Sequence, residues 1–237
     1  MNAVFVAGTD TGVGKSLIIG LLLRYLKGKG CSAITQKWVE TGSYKGYSRD
    51  IQTHLRIAGI GKIAATKRGR VWGVEKYVCP YVFKLAASAH LAAQEEKRRI
   101  DIRKIKNSFT FLKNNFGFVI VEGIGGLLVP FNRKRLALDL VKELGLSLIL
   151  VAENKLGAIN HTLLSIEALT SRKIRILGII FNNAAEENSL ILKDNPCIVR
   201  KISGQEILGV LPFSRNIDVL YAHFQPIARK LCRKLEI

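Results

Sequence analysis

Residues 4–16 read Val4-Phe5-Val6-Ala7-Gly8-Thr9-Asp10-Thr11-Gly12-Val13-Gly14-Lys15-Ser16. An apolar run, a glycine-rich turn, Gly-Lys-Ser and a following apolar helical stretch are typical of a phosphate-binding loop. Glycines let backbone N–H groups converge on phosphate oxygens, and the next helix adds its positive N-terminal end. The stretch therefore predicts a site for ATP or GTP, in which Lys15 reaches the β- and γ-phosphates and the Ser16 hydroxyl ligates Mg²⁺.

The loop departs from the common spacing, because five residues rather than four separate Gly8 from the Gly14-Lys15 pair. A chance Gly-Lys-Ser in a basic chain is the alternative interpretation. Strand, turn and helix context all agree with the phosphate loop, and we therefore retain it.

Length and composition predict one soluble domain. The chain has 237 residues, of which 48% are hydrophobic, and this is enough to bury a single core over 1–237. The longest apolar runs, such as 146–152, are far shorter than a membrane span, and no early stretch resembles a signal peptide. We expect a cytoplasmic protein that does not contact a membrane.

The cysteines are Cys31, Cys79, Cys197 and Cys232. None forms a Cys-x-x-Cys pair, and no histidine lies at metal-ligand spacing from them. We therefore predict reduced thiols, with neither a zinc site nor a disulfide.

The formal net charge of +19 raises the question of nucleic-acid binding. Lysine and arginine are dispersed along the whole chain, with denser patches at 62–70, 96–106 and 229–234. No aromatic-interleaved basic motif accompanies them. We predict no nucleic-acid partner and interpret the charge as a compositional bias that helps to attract anionic nucleotides.

Apolar runs of strand length alternate with amphipathic helical patterns along the chain. The predicted strands are 2–7, 32–39, 118–122, 147–153, 174–182 and 206–211, and the predicted helices are 17–27, 50–58, 88–98, 101–114, 136–144, 159–170 and 219–235, with 59–73 irregular. This alternation predicts an α/β protein of the P-loop NTPase-like kind, with a mostly parallel central sheet and helices on both faces.

Ligands of such sheets bind beyond the carboxyl ends of the strands. Lys37 lies at such an end, where it would be a second cation near the γ-phosphate or simply a solvated lysine. Glu122 ends the apolar run 118–121, and a buried glutamate is costly unless it meets a cation. We therefore expect Glu122 to ligate Mg²⁺. Asp50 is a further candidate, although it would equally suit a helix N-terminus behind Ser48.

The segment 157–161 opens another helix after a strand. Free N–H groups at that helix start could hold a carboxylate, or the segment could be an ordinary connection. His90 and His161 each suit the surface or core of a helix, and we assign neither as a catalytic base.

Together these segments resemble the dethiobiotin synthetase family of biotin biosynthesis. Residues 8–16 match its Gly-Thr-Asp-Thr-x-Val-Gly-Lys-Thr pattern except at Ser16, and 37–42 is similar to its Lys-Pro-Val-x-Ser/Thr-Gly. Further matches are Asp50, 80–83 with 88–90, Val121-Glu122-Gly123-Ile124-Gly125-Gly126, 156–162, 178–182 and 209–212. The resemblance runs from residue 3 to about 214.

The resemblance implies a homodimeric, ATP- and Mg²⁺-dependent cyclo-ligase. One amine of 7,8-diaminopelargonic acid takes up CO₂, supplied as CO₂ or bicarbonate, to form a carbamate. The carbamate attacks the γ-phosphate of ATP and releases ADP, which gives a carbamic–phosphoric anhydride. The second amine attacks this anhydride, closes the ureido ring of dethiobiotin and releases phosphate. This chemistry needs alignment and charge neutralisation more than a protein base.

The resemblance also implies the role of each site residue. Catalytic residues would be Lys15 and Lys37 at the phosphoryl group, with Lys37 and Thr11 at the carbamate. Ser16, Asp50 and Glu122 would bind Mg²⁺. Nucleotide contacts would come from Gly12, Val13, Gly14, Lys15, Ser16, Leu17, Asp50, Glu122, Gly123, Gly125, Asn182, Asn183, Pro212, Phe213 and Ser214. Substrate contacts would come from Thr11, Lys37, Thr41 and, across the dimer interface, Gly157, Ala158, Ile159 and Asn160.

Several positions depart from the family pattern. Trp38 replaces a proline and could shift the path to Thr41, while Leu85 and Ala89 stand where prolines are usual. The basic segment 62–76 is not explained by the family, and we interpret it as an exposed loop.

Three rival classes share parts of the pattern. Chromosome-partition and septum-placement ATPases carry a second lysine near the loop start, where this chain has Thr9-Asp10-Thr11. Synthetases that amidate cobyrinic acid need a glutaminase domain, for which we expect no room before Ile237. An inactive nucleotide-binding relative is separated only by an assay.

Overall fold

The computed structural model describes residues 2–61 and 73–237. The irregular segment predicted over 59–73 and the exposed loop predicted over 62–76 lie mostly outside the described residues. Within the described ranges, no helix is both long enough and apolar enough to cross a membrane.

The strands, numbered in chain order, are β1 (Ala3–Gly8), β2 (Ala33–Lys37), β3 (Val39–Glu40), β4 (Tyr81–Val82), β5 (Phe118–Glu122), β6 (Pro130–Asn132), β7 (Arg135–Leu136), β8 (Leu148–Glu153), β9 (Ile176–Asn182) and β10 (Ile207–Leu211). Six of them form one sheet in the order β10-β9-β8-β1-β5-β2. Every pairing in it is parallel. The predicted parallel central sheet is therefore confirmed.

The helices are α1 (Lys15–Gly28), α2 (Arg49–Ile57), α3 (Glu75–Val78), α4 (Ala89–Glu95), α5 (Ile102–Asn115), α6 (Ala137–Glu143), α7 (Ala158–Thr170), α8 (Ser189–Ser203) and α9 (Ile217–Leu235). The central strands are continuous apolar runs because both faces of the sheet are covered. All six residues of β1 and all five of β5 are buried.

Some elements differ from the sequence-based expectation. Helix α8 was not predicted, because Pro196 and neighbouring polar residues mimic a helix break, yet the structure carries Pro196 inside the helix. The strand predicted over 32–39 is wrong at its end. It stops at Lys37, and Val39–Glu40 instead pairs in parallel with β4.

Strand register brings distant residues to one edge of the sheet. Lys37 at the end of β2 is the register partner of Glu122 at the end of β5. Glu122 in turn pairs with Val6 of β1, just before the glycine-rich loop. Parallel strands end at the same edge, so the loop, Lys37 and Glu122 meet there.

Candidate nucleotide and substrate site

The glycine-rich loop has the backbone that a phosphate cradle requires. Gly12 and Gly14 have φ of +79° and +103°, in the left-handed region that favours glycine. A Cβ on Gly14 would collide with the side-chain amide of Asn182. Among the described residues, no side chain caps the start of α1. Its first N–H groups therefore remain available to an anion.

Lys15 lies folded back over this loop. Its Nζ donates to the carbonyl oxygens of Asp10 at 2.9 Å and Gly125 at 2.8 Å. Burial, followed by repulsion from Lys37, lowers the pKa of Lys15 to about 8. A buried ammonium that is held by two carbonyl oxygens is suited to receive phosphate oxygens in their place.

Ser16, Asp50 and Glu122 converge although they lie far apart in the chain. Oγ of Ser16 is 3.1 Å from Oδ1 of Asp50 and 3.0 Å from Oε1 of Glu122. A hydroxyl and two carboxylates are hard oxygen donors of the kind that Mg²⁺ prefers. The donor set therefore fits the predicted metal, and the three predicted ligands lie together.

Lys37 is paired with both carboxylates. Its Nζ lies 2.6 Å from Oδ2 of Asp50 and 3.0 Å from Oε1 of Glu122, and it also donates to the carbonyl of Gly123 at 3.1 Å. Burial alone would lower the pKa of Lys37, but the two carboxylates outweigh it and raise the pKa above its ordinary value. Lys37 is thus a buried cation and not a solvated lysine.

Glu122 is almost completely buried, with 1% of its surface exposed. Burial alone would raise its pKa, but the charge of Lys37 and the contact with His54 hold the pKa well below its usual range. The carboxylate is therefore ionised at neutral pH and available to a cation.

A cavity of about 640 Å³ opens beside this cluster. Its lining includes Thr11, Lys37, Thr41 and Asp50, which sequence analysis assigned to the substrate or the metal, and also Glu40, which it did not assign. Glu40 is buried, and its carboxylate accepts a hydrogen bond from Ser48 at 2.5 Å. Burial raises the pKa of Glu40.

Trp38 does not obstruct this cavity. Its side chain is fully buried, and its ring packs against Phe5 and Phe131 with centroid separations of 5.0 and 6.0 Å. Its Nε1 donates to Oε1 of Gln36. The tryptophan therefore fills the core, while Lys37 and Thr41 line the cavity.

The remaining residues predicted to contact the nucleotide lie on the other side of the loop. Nδ2 of Asn182 donates to the Val13 carbonyl at 3.1 Å, which joins the end of β9 to the phosphate loop. Asn183 is the next residue, and Pro212, Phe213 and Ser214 follow β10, the neighbouring strand. Phe213 is 45% exposed, so a planar base could contact it.

Asn154, which was not predicted as a site residue, supports this side of the site. Its Nδ2 donates to Oδ1 of Asn183 and to the Leu192 carbonyl, both at 2.9 Å. Asn195 of α8 donates to Oδ1 of Asn154. The position of Asn154 directly after β8 was a usable signal, because ligand-side residues follow the strand ends.

The segment 157–160 lies at the start of α7, as predicted, with Gly157 at φ +87° before the first helical residue. None of its residues lines the cavity beside Lys37. Within one chain, the structure therefore does not bring this segment together with Thr11, Lys37 and Thr41.

His54 was not predicted as a site residue either. Its Nε2 lies 2.7 Å from Oε2 of Glu122. His54 follows Asp50 by four residues, so the two share one face of α2. That spacing was the available signal, but it gains meaning only once Glu122 is known to face the helix.

The parallel sheet, the glycine-rich loop and the two buried lysines beside it, Lys15 and Lys37, define a P-loop nucleotide-binding protein. A family model described as "AAA domain" matches residues 2–219. The chain is also similar to a solved MinC:MinD cell division protein complex of Aquifex aeolicus, with a TM-score of 0.60, 13% identity, and coverage of 100% of this chain and 96% of the other. At that identity the likeness shows the fold alone.

Two relatives are much closer in sequence. ATP-dependent dethiobiotin synthetase BioD 2 of Haemophilus influenzae is 39% identical over 192 residues, which cover 81% of this chain and 96% of the relative. ATP-dependent dethiobiotin synthetase BioD of Chlorobaculum tepidum is 41% identical over 186 residues, which cover 78% and 74%. The chain belongs to the dethiobiotin synthetase family.

Proposed function

We propose that this protein uses ATP to convert 7,8-diaminopelargonic acid and CO₂ into dethiobiotin, ADP and phosphate, as a cyclo-ligase of biotin biosynthesis. The observation that carries the proposal is the meeting of Lys15, Lys37 and a Ser16–Asp50–Glu122 oxygen cluster beside a substrate-sized cavity. Family membership supplies the identity of the substrate.

The protein's contribution to the chemistry is positioning and charge. Lys15 and the loop N–H groups would hold the β- and γ-phosphates. Lys37 lies between the Ser16–Asp50–Glu122 oxygen cluster and the cavity. There it would neutralise the transferring phosphoryl group and, with Thr11, hold the carbamate. Thr41 would contact the head of the substrate. Such pre-set donors stabilise developing charge without reorganising during the reaction.

Ser16, Asp50 and Glu122 would hold Mg²⁺. When bound, this ion would offset the charge of the phosphates and orient them. The two ammonium groups of Lys15 and Lys37 face the carboxylates of Asp50 and Glu122, so the cluster is close to neutral before any ligand enters.

The proposal extends to the assembly and the setting of the reaction. We infer one domain over 1–237, acting in the cytoplasm as a homodimer. The homodimer is supported by the segment 157–160, which lies apart from the cavity of its own chain and would reach the substrate carboxylate of a second subunit.

The test is incorporation of labelled bicarbonate into an acid-stable product, with ATP, Mg²⁺ and 7,8-diaminopelargonic acid, and with controls that lack each component in turn. We expect label in dethiobiotin when all three are present. ATP hydrolysis without incorporation would overturn the proposal in favour of another acceptor or of a switch ATPase. Neither hydrolysis nor incorporation would indicate an inactive relative.

A further inference from the structure

His54 and Glu122 form a buried contact to which the proposed reaction assigns no role. His54 is 0% exposed and Glu122 is 1% exposed. Nε2 of His54 lies 2.7 Å from Oε2 of Glu122. Within the described residues, neither of these atoms nor Nδ1 of His54 has a well-directed hydrogen bond to another group. Nε2 of His54 and Oε2 of Glu122 therefore face each other as close polar neighbours.

The short separation specifies which atom carries a proton. A carboxylate oxygen and an unprotonated ring nitrogen would present two lone pairs to each other at 2.7 Å, which is repulsive. We therefore assign a hydrogen to Nε2 of His54, so that it donates toward Oε2.

The two oxygens of Glu122 consequently have different surroundings. Oε1 faces Ser16 at 3.0 Å and Lys37 at 3.0 Å, on the side of the phosphate loop. Oε2 faces His54 on the side of α2. The terminal torsion of a glutamate is intrinsically broad, so a group that holds Oε2 also determines where Oε1 points.

Helix α2 provides both parts of this arrangement. Ser48 caps its start by accepting the N–H of Ile51 at 3.2 Å. Asp50 then reaches the oxygen cluster from the first turn, and His54 reaches Glu122 one turn later, on the same face. Helix α2 therefore carries Asp50, which is one proposed metal ligand, and His54, which contacts Glu122, another proposed metal ligand.

We propose that His54 is a positioning residue that holds Oε2 of Glu122 and thereby presents Oε1 to the divalent cation of the bound nucleotide. This inference rests on the proposed role of Glu122 as a cation ligand. Partners of this kind orient metal-ligating groups, and their loss typically lowers metal affinity or activity by about 10- to 100-fold.

The test compares three variants at this position with one control. His54→Leu removes the donor and keeps an apolar side chain. His54→Gln keeps a donor near the place of Nε2, whereas His54→Asn places its donor near Nδ1, away from Glu122. Leu55→Ala is the matched control, because Leu55 is a buried residue of the same helix whose apolar side chain has no donor for Glu122.

The main readout is Mn²⁺ binding to the protein–ADP complex, followed by electron paramagnetic resonance, because it does not depend on turnover. We expect His54→Leu and His54→Asn to weaken Mn²⁺ binding by about 10- to 100-fold, with His54→Gln within about threefold of the parent. Leu55→Ala should lower thermal stability but keep the parent's Mn²⁺ affinity. Steady-state kinetics should show the same order in the Mg²⁺ concentration needed for half-maximal rate.

Unchanged Mn²⁺ affinity in folded His54→Leu would overturn the inference. If His54→Leu does not fold, equal affinities of the Gln and Asn variants would overturn it instead. The two proposals can fail separately. If the parent protein makes no dethiobiotin but the His54 variants lose Mn²⁺ affinity in the order described, the proposed function is overturned and this inference is retained.

Discussion

Lys37 shows how a single residue can join several parts of this site. Its ammonium contacts Asp50 of α2, Glu122 of β5 and the carbonyl that follows β5. Each of these contacts would be weak on an exposed surface, but here the lysine and Glu122 are buried. Removing one member of a buried group of charges leaves the others without an opposite charge. Lys37 is therefore important both for the stability of the fold and for the proposed reaction.

We predict that Lys37→Ala lowers kcat by at least about 10²- to 10³-fold, because the transferring phosphoryl group loses a pre-set cation. ADP affinity should stay close to that of the parent, since Lys15 and the loop N–H groups remain. The measurements are steady-state kinetics and calorimetric titration with ADP.

The same variant should also unfold more easily, by about 3–5 kcal/mol in denaturant titrations, because Glu122 keeps a buried charge without its main partner. The control is Lys113→Ala, at an exposed lysine. It should match the parent in kcat, in ADP affinity and in the free energy of unfolding. Near-normal turnover of Lys37→Ala would contradict the role assigned to Lys37.

A second prediction at the scale of single residues concerns the thiols of Cys79 and Cys197. Burial, with a smaller contribution from the charge of Glu40, raises the pKa of the Cys79 thiol to about 12. At about pH 8 its thiolate fraction is then on the order of 10⁻⁴, whereas Cys197 is exposed. We expect iodoacetamide at that pH to label Cys197 of the folded protein and leave Cys79 unmodified, as read by peptide mass spectrometry. Denatured protein should show both labelled, and fast labelling of folded Cys79, which is partly buried, would contradict the raised pKa of its thiol.

At the scale of elements, the junction of β1 and α1 determines the phosphate site. The buried strand ends in a loop whose glycines take left-handed backbone angles, and the helix begins directly behind it. Asn182, at the end of β9, packs against that loop and donates to it. The loop therefore has its shape from its own glycines and its position from β1, which it follows, and from Asn182 at the end of β9.

We predict that Gly14→Ala raises the dissociation constant for ADP at least about tenfold, because the new methyl group collides with Asn182 and displaces the loop. The matched control is Gly30→Ala after α1, which also has a positive φ (+75°) but has open space around its Cβ. Both variants should lose roughly 1–2 kcal/mol through the left-handed backbone. Calorimetric titration separates them, and equal ADP affinities would argue against the packing of Asn182 on the loop.

At the scale of the whole molecule, the residues proposed to contact the substrate do not all line one cavity of a single chain. The cavity beside Lys37 contains Thr11 and Thr41, while the start of α7 at Gly157 lies away from it. Leu156, directly before this helix start, is 78% exposed. A second copy that presents its own helix start to this cavity would complete the set of substrate contacts.

We predict that mixed subunits complement each other. Lys37→Ala disables the phosphoryl side, and Gly157→Asp places a negative charge at the helix start, where it would repel the substrate carboxylate. Aspartate tolerates the left-handed backbone better than most residues, and a Cβ at Gly157 has open space. Each variant alone should be inactive. After unfolding and co-refolding in equal amounts, about a quarter of the parent activity should return, since half of the dimers contain one intact site. No recovery from verified mixed dimers would contradict a shared site.

Local sequence determined the parts of this protein that depend on neighbouring residues. The apolar runs specify buried strands, and the glycines at 12 and 14 with Lys15 and Ser16 specify a phosphate loop, because backbone angles and side-chain periodicity are short-range properties. The resemblance that these blocks carry was enough to predict the family, which the comparisons confirm.

Tertiary structure decided what depends on residues that are distant in the chain. Strand register paired Lys37 with Glu122, and the packing of α2 placed Asp50 and His54 against them. Packing also turned Trp38 into the core instead of the cavity, and it kept α8 helical despite Pro196. The sequence pattern could not settle these points, because burial, charge pairing and side-chain direction arise only when separate elements come together.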